Sequence, residues 1–236
     1  MMGEGSINDI STRSSMAVIG AGLSGLRAAN ILSSHGHQVS VFEKTSRPGG
    51  RLGAWEWEGT IVDAGAQYFT ARDALFRRHV TSWIQEGVVS RWGAILAAVD
   101  APGIFRKLDN SLDRYVGVPG MGRVAEHLSK HVDIRFECHV DNIAHHDDKF
   151  HLTHANGNQA GAFDALIIAT PASQAISLLP ADSELVPAAS GVRMVPCWAV
   201  MAVFHKPFSL PFDGLFFNGT MYQFKAKMTG SVKVVV

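Results

Sequence analysis

The sequence predicts an α/β fold. Three observations lead there. A short apolar strand runs into a glycine-rich turn at 17–25, a helical stretch and a second strand follow directly, and an uninterrupted apolar strand at 164–171 closes on Thr-Pro. Strands connected through helices pair in parallel, and parallel strands buried on both faces are apolar throughout rather than alternating.

Ala17, Val18 and Ile19 are small or β-branched, as a doubly buried strand requires. Gly20-Ala21-Gly22-Leu23-Ser24-Gly25 then has the GxGxxG spacing. Gly20 permits the tight turn, Gly22 lets backbone approach a pyrophosphate, and Gly25 lets the next helix lie close to the strand. The predicted helix, Leu23–Ser34, aims its first N–H groups and the positive end of its dipole at that pyrophosphate. Ser24, inside the turn, serves phosphate binding.

Gly36 ends the helix, residues 39–42 form the second strand, and Glu43 stands at its C-terminal end. An acid about 20 residues beyond such a turn bonds a ribose diol. A carboxylate there repels a 2′-phosphate, so the unit reads as Rossmann-like and favours the adenosine of FAD or NAD over NADP. Strand, turn, helix and acid agree, which a lone glycine motif would not provide.

Arg47-Pro48-Gly49-Gly50-Arg51-Leu52 follows closely. Two glycines between basic residues make a loop whose backbone can approach a phosphate, with Arg51 able to neutralise it. We read it as a second wall of the same dinucleotide site. Residues 54–61 alternate as a hairpin turning at Gly59, with Trp55 and Trp57 on one face, predicted to pack in the core. The sharper alternative has an indole lining a pocket for a flat ring. In the stretch 63–70, Gly65 and Ala66 allow close approach to a planar ligand, and Gln67 and Tyr68 offer polar tips beside it.

Residues 74–86 carry apolar positions at helical spacing, with Arg77, Arg78 and His79 on the solvated side. A short strand is expected within 87–99 and a polar loop over 101–114. A turn through Val118-Pro119-Gly120-Met121 leads into a helix at 123–130 with an apolar face of Val124, Ala125 and Leu128. Residues 134–140 alternate as one strand. Residues 150–154 and 159–163 form a hairpin around Asn156-Gly157. The apolar strand at 164–171 suits the centre of a parallel sheet. A short helix at 172–179 stops at Pro180, and strands are predicted at 198–205, 215–217 and 222–227.

With 21 basic and 21 acidic residues in 236, nothing draws this chain to nucleic acid or an acidic membrane surface. No apolar run reaches the ~18 residues of a membrane span. Residues 1–15 read as a disordered leader without signal-peptide order. Cys138 and Cys197 form no CxxC pattern and sit in apolar strand patterns, so core packing and a reducing cytoplasm are expected. His145, His146, His151 and His154 cluster around Asp147 and Asp148. However, His151 and His154 fall on opposite faces of a strand and match no ligand spacing, so no metal is expected. No nucleophile–base pair stands out, so a hydrolase reading is poor and no catalytic side chain is assigned.

The set Gly20–Gly25, Glu43, Arg47–Arg51, Gly65–Thr70, Val118–Met121 and Ala169-Thr170-Pro171 resembles the FAD-dependent amine oxidase superfamily. GAQYFTARD at 65–73 and the PGMG turn look most like its renalase-like branch. The resemblance runs from about residue 16 to residue 217 and implies an FAD-binding domain built from discontinuous segments, with a second α+β substrate domain on a mixed sheet. The segments expected are 16–75 and 115–175 for FAD, and 76–114 and 176–236 for substrate.

The resemblance further implies noncovalent FAD, hydride transfer from a small substrate to flavin N5, and reoxidation by oxygen to give hydrogen peroxide. Renalase-like members act on dihydronicotinamide isomers, and other members oxidise amines or desaturate rings. The cofactor-binding residues it implies are Gly20, Ala21, Gly22, Ser24, Gly25, Glu43 and Lys44 at the pyrophosphate and adenine ribose, with Gly50 and Arg51 at the pyrophosphate. Gly65, Ala66, Gln67 and Tyr68 lie near the flavin ring, Val140 meets the adenine through its backbone, and Thr170 and Pro171 close the site.

Members of the superfamily continue to a C-terminal Gly-Asp segment and a helix capping the FAD pyrophosphate, and this sequence stops before one. The expectation is therefore a truncated or frame-shifted member whose final VKVVV strand has little to cover it. Two rival functions follow, a non-catalytic remnant that binds FAD poorly and an NAD-dependent dehydrogenase. RPGGR and GAQYF disfavour the second, because they suit a buried flavin.

Overall fold

The structure, a computed structural model, describes residues 13–100, 103–109, 112–197, 201–203, 210–218, 225–227 and 233–235. The chain opens with β1 (Ser15–Ile19), α1 (Leu23–Ser34), β2 (Gln38–Phe42), the hairpin β3 (Ala54–Trp57) and β4 (Thr60–Asp63), and α2 (Ala74–Gln85). It continues through β5 (Val89–Arg91), β6 (Leu96–Asp100), β7 (Ile104–Lys107), β8 (Tyr115–Gly117), α3 (Gly122–Ser129) and β9 (Asp133–Arg135). Then come β10 (Val140–His146), β11 (Lys149–His154), β12 (Gln159–Phe163), β13 (Ala165–Ile168), α4 (Ala172–Ile176) and α5 (Leu185–Ser190). The last strands are β14 (Met201–Val203), β15 (Gly214–Asn218), β16 (Lys225–Lys227) and β17 (Lys233–Val235).

Two compact units interleave along the chain. The first comprises residues 1–50 and 128–194, the second residues 51–127 and 195–236.

In the first unit a parallel sheet runs in the order β13-β1-β2-β9. Its central strands β1 and β2 are largely buried because both faces of the sheet are covered. Helix α1 buries Gly25, Leu26 and Ala29. On the other face Ala17, Ile19 and Phe42 pack with Leu152, Ala160 and Phe163 of the antiparallel sheet β10-β11-β12. Phe42 meets Phe163 edge-on at 5.6 Å, and the Arg135 guanidinium stands 5.1 Å above the Phe42 ring. The Asn156-Gly157 hairpin forms as expected, with Gly157 at φ +84°.

Several expectations are corrected here. The strand at 165–168 is an edge of the sheet, paired only with β1 among the described residues, rather than its centre. Its apolar character comes from facing the second sheet, against which Leu166 and Ile168 pack. Residues 134–140 are not one strand. Glu137 takes φ +53°, and its N–H donates to the Thr45 carbonyl at 3.0 Å. The Cys138 N–H donates to the Glu43 carbonyl at 2.9 Å, so the segment folds around the end of β2 before β10 begins.

Ser15 belongs to β1 rather than to the leader, whose residues 1–12 lie outside the described residues. Cys138 is buried, 3.1 Å from the Nδ1 of His154, and burial pushes its thiol up against the smaller opposing effect of Arg135. Cys197 is exposed instead of packed.

The second unit contains a mixed sheet, β16-β15-β6-β7, in which β6 and β15 are parallel and the outer pairings antiparallel. Helix α2 is capped by Asp73, whose Oδ1 accepts the Phe76 N–H at 2.9 Å, and it buries Val80 and Trp83. The polar stretch expected to be loop contains β7, which pairs with β6 despite fully exposed side chains. Strand formation there comes from the ladder and not from an apolar face. Trp55 and Trp57 share a face as alternation requires but are 65% and 58% exposed, not core residues. Alternation sets which residues share a face and says nothing about what covers it. Helix α5 has no counterpart in the sequence reading. Of the strands expected at 198–205 and 222–227, only 201–203 and 225–227 fall among the described residues. Strand β17 pairs antiparallel with β14.

Two outcomes follow from this packing. Leu152 is fully buried between the sheets, and Leu152→Ala is expected to cost about 2–5 kcal/mol in a denaturant titration. Asp164 accepts from the Lys149 ammonium at 2.8 Å and from the Ser15 hydroxyl and N–H at 2.7 Å, and these bonds hold its carboxyl well below the usual range. A depressed carboxyl contributes stability that is present above its unfolded pKa and lost as pH falls below about 4. The stability gap between the parent and Asp164→Asn should therefore close below that pH.

Candidate functional site

The glycine turn between β1 and α1 separates its three glycines by physical cause. Gly20 has φ +103°, a backbone state that side chains avoid, and a Cβ there would come within 3.2 Å of the Ala169 carbonyl oxygen. At Gly25 a Cβ would lie 1.9 Å from the Gly20 carbonyl oxygen, so no larger residue fits. Gly22 answers to neither cause. Its φ is −74° with ψ 177°, and a Cβ there would meet nothing within 4 Å. Neither backbone strain nor packing within the protein accounts for a bare position at 22. The position borders open space at the start of a helix whose first turn has no side-chain cap.

Ala21, between them, is fully buried. Its N–H donates to Glu43 Oε2 at 2.8 Å, and its carbonyl accepts from the Gly49 N–H at 2.9 Å. Glu43 is buried, and its Oε1 accepts from the Thr45 N–H at 2.9 Å and the Thr45 hydroxyl at 2.8 Å. Gly22 and Gly49 form a parallel bridge, and a Cβ on Gly50 (φ +52°) would stand 3.6 Å from the Gly22 Cα. Within the first unit the structure thus brings together the glycine turn, the acid and the second glycine loop. Sequence reasoning chose Gly50 from the glycine pair and missed Gly49, although the pair itself was the signal.

Ser24 and Lys44 are exposed at the same end of the sheet. Val140 is buried at the start of β10, just past the turn that wraps Glu43. Thr170 and Pro171 are half-buried before α4, and the Thr170 Oγ1 is buried without a hydrogen-bond partner. Thr170 Cγ2 lies where it would be 3.6 Å from a Cβ on Gly20.

The other expected residues fall in the second unit and are described by themselves. Arg51 has an exposed side chain, and its carbonyl accepts the Ala66 N–H at 2.9 Å. A Cβ on Gly65 would lie 2.0 Å from that carbonyl oxygen, so a backbone crossing accounts for this glycine. Gln67 is half-buried. The Tyr68 ring lies 5.6 Å from that of Trp92, with the Arg114 guanidinium 5.5 Å above it. Among the described residues no group of three His, Cys, Asp or Glu is placed to hold a metal ion, and no helix is long and apolar enough to cross a membrane.

A family model for an NAD(P)-binding Rossmann-like domain matches residues 18–84, and one for flavin containing amine oxidoreductases matches residues 76–225. The chain belongs to the flavin-containing amine oxidoreductase family. The cofactor that follows from this family is FAD. A 76-residue stretch, 31% of this chain and 15% of the relative, is 34% identical to an L-amino-acid oxidase of Notechis scutatus scutatus. A 50-residue stretch, 21% of this chain and 10% of the relative, is 46% identical to a 4,4'-diapophytoene desaturase of Staphylococcus haemolyticus. A variant of putrescine oxidase shares the fold with TM-score 0.72 at 12% identity, over 94% of this chain and 74% of that one.

The contrast between two glycines can be measured. Gly22→Ala should leave folding stability within about 1 kcal/mol of the parent yet weaken FAD binding by about tenfold or more, 1.4 kcal/mol in affinity. Gly25→Ala should lower the thermal midpoint of the protein even without cofactor, because its methyl group meets backbone.

Proposed function

We propose that this chain binds FAD noncovalently and serves an oxidoreductase that withdraws a hydride from a small molecule. The observation that supports the reading is Gly22, an unstrained glycine bordering open space next to Ala21, whose N–H meets the buried Glu43 carboxylate. Gly22 and Ser24 would present backbone N–H groups to the pyrophosphate, with Gly20, Ala21 and Gly25 shaping the turn beneath them, and Glu43 would accept from the adenosine ribose. Gly50, Arg51 and Lys44 would complete the phosphate wall, Val140 would meet the adenine, and Thr170 and Pro171 would close that side. Gly65, Ala66, Gln67 and Tyr68 would lie toward the ring.

When bound, FAD would supply the redox chemistry, accepting a hydride from the substrate and passing its two electrons, with that proton and one more from the substrate or solvent, to oxygen as hydrogen peroxide. The protein's part is to bind, orient and shield, which agrees with a site holding no catalytic acid–base pair. The renalase-like character of GAQYFTARD favours a dihydronicotinamide isomer as substrate, with an amine as the alternative. Two cysteines far apart in the sequence and in no CxxC pattern support a reducing, cytoplasmic setting.

Binding is tested by the absorbance spectrum of the purified chain and by thermal melts with added FAD or NAD. FAD at a hundred times its Kd should stabilise the fold by about 2.7 kcal/mol, and NAD should do far less. A colourless protein whose midpoint ignores FAD would refute the reading, and a shift with NAD alone would favour a dehydrogenase. Peroxide release with dihydronicotinamide isomers, compared with amines, decides the substrate class.

A further inference from the structure

Thr45 is the group that determines how Glu43 is presented. The Glu43 carboxylate has about four lone-pair positions. Two on Oε1 are filled from Thr45, by its N–H at 2.9 Å and its hydroxyl at 2.8 Å. One on Oε2 is filled by the Ala21 N–H at 2.8 Å. The carboxylate is thereby clamped from two directions, and the remaining lone pair lies on Oε2, the oxygen beside the glycine turn.

Thr45 is itself anchored. Its carbonyl accepts the Glu137 N–H at 3.0 Å, and its hydroxyl also lies 2.9 Å from the Arg47 carbonyl, at the start of the second glycine loop. Its single hydroxyl proton serves either Glu43 Oε1 or the Arg47 carbonyl, so one exposed side chain stands between the acid and the loop whose Gly49 donates to Ala21. Nothing in Thr45's own burial calls for these bonds.

We propose that Thr45 is a positioning residue for the cofactor's adenosine ribose. By occupying Oε1 it directs Oε2 of Glu43 to accept a single sugar hydroxyl. This rests on the reading of the site as an FAD cradle. A carboxylate fixed before binding loses less freedom on binding, and that saving appears as affinity.

The test uses Thr45→Val, which keeps the shape and removes the hydroxyl, and Thr45→Ser, which restores it. Binding is read by quenching of flavin fluorescence, with FAD and with an FAD analogue lacking both hydroxyls of the adenosine ribose. The expected result is a loss of FAD affinity of about three- to tenfold in Thr45→Val, the scale of one exposed charge-assisted hydrogen bond. Recovery is expected in Thr45→Ser, with no difference among the three proteins for the analogue. Equal FAD binding by the parent and Thr45→Val, or an equal loss for FAD and the analogue, would overturn the inference while leaving the FAD site standing. A parent chain that binds neither form would remove the site and the inference together.

Discussion

The carbonyl of Gly20 and the first turn of α1 approach so closely that a methyl group at position 25 would lie 1.9 Å from the oxygen. Much of the first unit depends on that approach. It sets the helix against β1, buries Leu26 and Ala29, and brings the uncapped helix start to the end of the parallel strands. Ligands of open α/β sheets bind at that end, where strand carboxyl ends and helix N-termini meet. The same closeness leaves Ala21 no exposure, so its N–H must find a partner inside the protein, and it finds the Glu43 carboxylate.

The acid consequently serves the protein itself. A buried carboxylate is costly unless it is hydrogen-bonded, and Glu43 is satisfied by Ala21 and Thr45. Its backbone is fixed as firmly. The Glu43 N–H donates to the Arg135 carbonyl, and its own carbonyl accepts from Cys138. The left-handed turn at Glu137 makes this possible by folding residues 135–138 around the end of β2. What alternation reads as one strand is a clasp around the acid. From it β10 leaves with Val140 buried at its first position.

The two units differ in how their glycines are used. In the first, Gly20 and Gly25 yield to the chain's own backbone, while Gly22 between them borders open space. In the second, Gly65 admits the Arg51 carbonyl and Gly117 admits that of Gly120, so the bare positions are filled by the chain's own backbone.

The sequence by itself determined the βαβ unit, the need for glycine at positions 20 and 25, and the acid at the strand end. It did so because each is a local matter of backbone conformation, spacing and periodicity within about thirty residues, as such motifs are. Helix α1, the hairpin around Gly157 and the capped α2 were legible for the same reason. Only the tertiary structure decided which strand lies at the sheet edge, that Trp55 and Trp57 face outward, and that residues 134–140 bend at Glu137. It also decided that Thr45 holds Glu43. Those facts depend on what arrives from distant parts of the chain to cover a face or meet a carbonyl, and no periodicity in one stretch records the presence of another.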